Sequence, residues 1–212
     1  PPPSPVFMSE SRLSPNYRTE IVQDLADIDA NDWDALLAAQ AEPTPFLRHA
    51  FLQALHASSS ATDDTGWSPR FLALWVPDGK EPGRDRLAAA MPLYAKSHSY
   101  GEYVFDWAWA DAYRQHGIPY YPKWLAAIPF TPVRGARLLA EDELSRRVLL
   151  RFALALAQES ELSSLHVLFP SDHEADLMDE AWMMMRHGVQ FHWTNPGYEN
   201  FDAFLATLSQ KK

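Results

Sequence analysis

The run DELSRRVLLRFALALAQESELSSLHVLF, residues 142–169, decides the fold class. Over residues 142–158 its period is helical, and the later turns are apolar on more than one side, so the helix is well buried. It leads into LHVLF, residues 165–169, a short apolar strand of the kind that sits inside a sheet. Downstream, Ser171 and Glu174 match a capping box that opens another helix, with Ala175, Met178, Trp182 and Met185 as its core stripe and Gly188 as its C-terminal cap. The three methionines from Met183 to Met185 read as gap-filling core. Residues 189–193 form a last strand, and Asn200 starts a helix with Phe201, Phe204, Leu205 and Leu208 on one face.

Upstream, residues 71–76 and 87–94 read as an antiparallel hairpin whose turn holds Pro77, Asp78, Gly79 and Gly83. Residues 18–25 form a first strand with Ile21 and Val22 buried. Asn31 caps a helix that buries Trp33, Leu36 and Leu37. Thr44 and Pro45 open a second helix with the stripe Leu47, Ala50, Phe51, Ala54 and Leu55. Residues 126–131 supply one more strand. Strands alternate with helices in the second half, which predicts parallel neighbours joined by helical crossovers beside the antiparallel hairpin. The fold class is therefore α/β, a mixed sheet with helices on both faces.

With 212 residues and 47% hydrophobic content, the chain has ample length for a buried core. Its net charge of -10 disfavours DNA or broad nucleic-acid binding, which needs clustered Lys and Arg. Without cysteine there are no disulfides, thiolate nucleophiles or cysteine-bound zinc, and a reducing cytoplasm is the simplest setting. No apolar run approaches the ~20 residues that span a bilayer. Residues 1–17, rich in Pro and Ser, read as a flexible extension.

Chemistry concentrates in KSHSYGEYVFDWAWADAYRQHGIPYY, residues 96–121. Aromatic rings stand among carboxylates and imidazoles, the makings of a small-molecule cleft; the same pattern also fits an aromatic core with a solvated charged rim. Asp106, between Phe105 and Trp107, would have a raised pKa if buried without partners and would then serve as a general base. Otherwise it is a hydrogen-bonded structural carboxylate. Glu102 is the second candidate base. Lys96, His98, Tyr100, Tyr103, Trp107, Trp109, Tyr113, His116, Tyr121 and Lys123 are the candidate substrate-binding residues. The lysines would meet a substrate carboxylate or phosphate, or simply be exposed. No closed metal site shows ligand spacing, no G-x-S-x-G elbow is present, and the turn with Arg134 and Arg137 is either a weak anion site or a plain turn.

The stretch PLYAKSHSYGEYVFDWAWADAYRQHGIPYYPKWLAAIPFTPVRGARLL, residues 92–139, resembles the signature of the FemAB-like family of N-acyltransferases. Residues 45–55 (PFLRHAFLQAL), 65–75 (TGWSPRFLALW), 163–169 (SSLHVLF) and 190–212 (QFHWTNPGYENFDAFLATLSQKK) are similar to that family too. The family is related to GNAT acyltransferases and to Fem peptidyltransferases, which add amino acids to peptidoglycan precursors. The resemblance implies a GNAT-like lobe over residues 18–199, with residues 200–212 starting a helix toward a missing second lobe. It implies transfer of an acyl or aminoacyl group onto a small-molecule or peptide amine, with acyl-CoA or aminoacyl-tRNA as donor and no covalently bound cofactor. The usual acyl-CoA signature, (Q or R)-x-x-G-x-(G or A), is absent, and the donor groove would belong to the second lobe. The alternative is a non-catalytic ligand-recognition lobe that keeps the aromatic cleft.

The stripe Phe201, Phe204, Leu205 and Leu208 generates an expectation of its own. Burying such side chains is worth roughly 1.5–3 kcal/mol each, so a stripe left in water invites association. The chain is expected to self-associate through its C-terminal helix and to show no acyl transfer alone. Sedimentation and a transfer assay check this, and a monodisperse active monomer contradicts both parts.

Overall fold

The computed structural model describes residues 17–79, 83–104 and 106–208. Most of the expected N-terminal extension, the tip of the first hairpin at 80–82, Phe105 and residues 209–212 lie outside the described residues. Strands β1 (Arg18–Val22), β3 (Phe71–Pro77), β4 (Asp85–Met91) and β7 (Leu139–Ala140) form an antiparallel sheet in the order β1-β3-β4-β7. Strands β2 (Trp67–Pro69), β5 (Leu93–Lys96), β6 (Lys123–Ala126) and β8 (Leu165–Val167) form a second sheet in the order β2-β5-β6-β8, in which β6 and β8 run parallel. Six α-helices are present among the described residues: α1 (Ala30–Ala38), α2 (His49–Ala57), α3 (Trp107–Gln115), α4 (Glu143–Glu159), α5 (Asp172–Glu180) and α6 (Phe201–Leu205). No helix among them is long and apolar enough to cross a membrane.

The sequence of β3, FLALWVP, shows why this inner strand is apolar throughout. Phe71 and Ala73 face one core with Trp33, Leu36, Leu37 and Leu52 of α1 and α2. Leu72 and Leu74 face a second core with Leu149, Leu150, Ala153, Leu177 and Met178 of α4 and α5. A sheet covered on both sides needs apolar residues at every position. The mixed α/β architecture with helices on both faces is thus as expected. One expected strand, residues 87–94, is two: Pro92 has no N–H for the ladder, and the chain passes there from the first sheet to the second.

The crossover read from residues 142–169 is present, with β6 and β8 parallel and α4 between them in sequence. Asp142 caps α4 by accepting from the Ser145 amide at 2.7 Å. Ser171 and Glu174 form the expected capping box on α5. The Glu174 carboxylate also accepts the amides of Arg137 and Leu138 at 2.7–2.9 Å, which fastens α5 to the segment entering β7.

Several local expectations are corrected. Ile21 is exposed while Val22 is buried, because successive strand residues point to opposite faces. Asp29, not Asn31, caps α1. The second helix breaks at Arg48, in extended conformation, so the stripe changes phase: Leu52 and His49 are buried, and Ala50 and Ala54 are exposed. The strand placed at 126–131 lies earlier, as β6, and β8 is a half-buried edge strand. Helix α5 ends at Glu180, where Trp182 takes a left-handed φ of 62° and stands exposed, so neither Met185 nor Gly188 belongs to it. Met184 and Met185 are exposed, and only Met183 packs on the core. No strand forms at 189–193, where Val189, Phe191 and Trp193 are exposed. Asn200 caps α6 as expected. Arg134 pairs with Asp172 on the surface, and the buried Arg137 guanidinium donates to the carbonyls of Val133, Gly135 and Ala136, so this turn is structural.

Replacing Glu174 by Ala strands two buried amides and removes the carboxylate half of the capping box, while the Ser171 cap remains. The expected cost is about 3 kcal/mol, read as a lower urea midpoint with an unchanged slope, and Glu174→Gln should recover part of it.

Candidate functional site

Strands β5 and β6 pair with Lys96 opposite Lys123 and Tyr94 opposite Leu125. Strand period places Lys96 with Tyr94 and Lys123 with Leu125, and cross-strand partners share a face. Two fully buried lysines therefore stand side by side at one end of the second sheet. Buried ammonium groups require counter-charge. The turn after β5 supplies it, bringing Glu102 Oε2 to 2.9 Å and Asp106 Oδ2 to 2.6 Å from Lys123 Nζ. Both carboxylates are buried. The four charges cancel.

The two carboxylates differ in their partners. Asp106 Oδ2 accepts from Lys123, from Ser99 Oγ at 2.7 Å and from Tyr120 OH at 2.9 Å. Ser99 Oγ in turn accepts from Lys123 at 3.0 Å and meets Tyr121 OH at 2.7 Å. Burial works against the charge on Asp106, but the hydrogen bonds from Lys123 and Ser99, the Lys123 charge and the Tyr120 hydroxyl outweigh it and hold its pKa below the ordinary value. Glu102 has Lys123 on Oε2 alone, and its buried Oε1 has no partner. Burial dominates there, so the Glu102 pKa is raised in spite of Lys123. The condition for a raised pKa at Asp106, burial without partners, is not met, and the structure gives that property to Glu102.

Lys96 donates to the Tyr100 carbonyl at 3.3 Å and lies 3.9 Å from the centroid of the Trp67 ring. Burial lowers its pKa to about 8, with Glu102 opposing the shift and Lys123 adding to it. His166 on β8 stands edge-on to Tyr120, and burial lowers its pKa to about 4. Gly101, at φ +81°, is required in the turn, since a Cβ there would meet the Phe130 ring at 2.6 Å.

The remaining candidates lie around this cluster. Tyr100, Tyr103, Trp107 and Trp109 are exposed, Trp107 edge-on to Tyr100 and Trp109 under the Arg186 guanidinium. Tyr113 packs on Tyr120. His116 bonds the Ala112 carbonyl at the end of α3, and His98 Nδ1 accepts from the Tyr100 amide while its ring stacks edge-on to Tyr100. The structure thus gathers Lys96, Glu102, Asp106, Tyr121 and Lys123 and leaves the other rings as an outer layer. Ser99, Tyr120 and Trp67 also belong to the gathered set and are not among the candidate catalytic or substrate-binding residues of the sequence. The available signal was a lysine on the buried face of each of two apolar strands, LYAK and KWLA. Among the described residues no three metal-ligating side chains converge.

Comparison with known proteins places the chain. A family model, FemAB-like, described as peptidoglycan biosynthesis/recognition, matches residues 24–212. The chain belongs to the FemAB-like family. No curated protein and no solved structure matches it. In this FemAB-like chain the buried charged residues Lys96, Glu102, Asp106 and Lys123 lie within residues 92–139, and Trp67 within residues 65–75, two of the segments that carry the resemblance.

The depressed Lys96 value has a definite consequence for stability. Between about 8 and 10.5 the unfolded chain holds more protons on this group than the folded one, so its contribution rises with pH across that window. Denaturant midpoints of the unsubstituted chain should gain on those of Lys96→Met from pH 8 to 10.5. A constant difference would show that Lys96 titrates like a free lysine.

Proposed function

We propose that this FemAB-like chain is the acceptor-side, GNAT-like lobe of an N-acyltransferase that moves an acyl or aminoacyl group onto an amine. One observation carries the reading: the buried, unpartnered Oε1 of Glu102, on a carboxylate whose other oxygen is fixed by Lys123. An acceptor amine arrives as an ammonium and must lose a proton before its nitrogen can attack. Glu102 offers an oriented acceptor, and its raised pKa suits it to receive that proton. Asp106, held ionised by its donors, anchors Lys123 and so keeps Glu102 in place.

The chemical step follows. The freed nitrogen attacks the carbonyl carbon of an activated acyl donor, the thioester of acyl-CoA or the ester of aminoacyl-tRNA. A C–N bond forms, backbone N–H groups support the oxyanion, and the C–S or C–O bond breaks. The proton taken by Glu102 returns to the leaving thiolate or alkoxide, and the second proton, shed by the attacking nitrogen as the amide forms, passes to the freed Glu102 carboxylate and from there to solvent. Exposed Tyr100, Tyr103 and Trp107 stand next to Glu102 and Asp106 in sequence and would border the acceptor's approach.

In the active enzyme, Glu102→Gln should lower turnover about 10²-fold with the fold intact. Asp106→Asn breaks a buried ion pair and should instead cost about 3 kcal/mol of stability, seen as a lower melting temperature. Unchanged turnover in a folded Glu102→Gln variant would overturn the reading.

A further inference from the structure

Three buried polar groups in one small region lack a full set of partners. Glu102 Oε1 and Trp67 Nε1 have none. Lys96 Nζ carries three N–H bonds and reaches only the Tyr100 carbonyl at 3.3 Å and the face of the Trp67 ring. The groups are neighbours. Lys96 Nζ lies 3.9 Å from the Trp67 ring centroid, and a Cβ on Gly101, next to Glu102, would lie 3.4 Å from Cζ2 on the Nε1 side of that indole. Lys96 and Glu102 feel each other's charge, yet form no direct ion pair.

Buried polar groups left unmatched cost free energy, and they persist where a ligand or water completes them. The unmatched set is specific: two donors, one of them cationic, beside one anionic acceptor. Its complement is a carboxylate adjoining an ammonium. We propose that Lys96, Trp67 and Glu102 together bind an α-amino acid group, its carboxylate on Lys96 Nζ and Trp67 Nε1 and its ammonium on Glu102 Oε1. The inference rests on the acyl-transfer reading for the role of the bound amine, and narrows the acceptor to an amine with a carboxylate on the adjacent carbon.

The ligand reaches these groups by lifting the turn at residues 97–103. Two of the bonds that hold this turn are long, Ser97 N–H to the Gly66 carbonyl and Glu102 N–H to the Ser99 carbonyl, both 3.4 Å. Tyr103 has a left-handed φ of 58°, a conformation costly to a tyrosine, so part of the closed turn is strained.

Calorimetric titration of the 212-residue chain with L-alanine, D-alanine, ethylamine and propionate tests the proposal. At least one alanine should bind ten times or more tighter than ethylamine and propionate. Lys96→Met should abolish the advantage over ethylamine, and Glu102→Gln the advantage over propionate, with folding verified by circular dichroism. The selectivity of the unsubstituted chain decides the matter even if a variant fails to fold. Ethylamine binding as tightly as both alanines would overturn the proposal and leave the amine-acceptor reading standing. No binding of any probe to the folded chain would remove both.

Discussion

The Lys123 ammonium is the group on which the candidate site depends. It is wholly buried and bonds two carboxylates and a serine hydroxyl at 2.6–3.0 Å. Moving a lone ammonium into such surroundings costs several kcal/mol, which only close counter-charges and hydrogen bonds offset. The converse constrains the loop equally. Without Lys123, Glu102 and Asp106 would face each other as buried like charges, and at least one would take up a proton. Strand β6 fixes the cation, and residues 97–106 must fold so that both carboxylates reach it.

One cation with two anions also separates the chemistry of the anions. Asp106 collects three donors on a single oxygen, and Glu102 shares only the lysine. Their pKa values are driven in opposite directions from similar starting points. Paired carboxylates whose environments push them apart are a recurring way to obtain one permanent anion and one proton acceptor. Burial prevails at Glu102, while Ser99 and Tyr120, neutral residues that donate to Asp106 and not to Glu102, help Lys123 to outweigh it at Asp106.

How much of this was legible from residues follows from which contacts are local. The α4 period, the Ser171–Glu174 capping box and the Asn200 cap depend on neighbours three or four positions away, and each was read in place. The α2 stripe failed because Arg48 breaks the helix and resets its phase. Residues 189–193 alternate suitably for a strand but pair with neither sheet, and Phe191 is 97% exposed. At the site, Lys96, Glu102, Asp106 and Lys123 were recognisable as candidates by type. Their pairing was not, because it depends on the β5–β6 register and on a turn with two residues at positive φ. Aromatic content was a poor guide to depth: Tyr120 is buried, whereas Tyr100, twenty residues earlier, is 69% exposed.

The lysines themselves show why composition misleads here. In a strand covered on both faces every position is buried, so a charged residue cannot escape by pointing outward. Lys96 and Lys123 each end such a strand or begin it, at the margin where β5 and β6 meet the loop of 97–106. A margin position lets the sheet hold the Cα rigidly while a loop delivers the counter-charges. Rigid placement of the cations and loop placement of the anions puts precision in the sheet and any adjustment in the turn. A site built this way keeps both lysines in register on the sheet and places Glu102 on the adjoining turn, where adjustment disturbs neither strand's pairing.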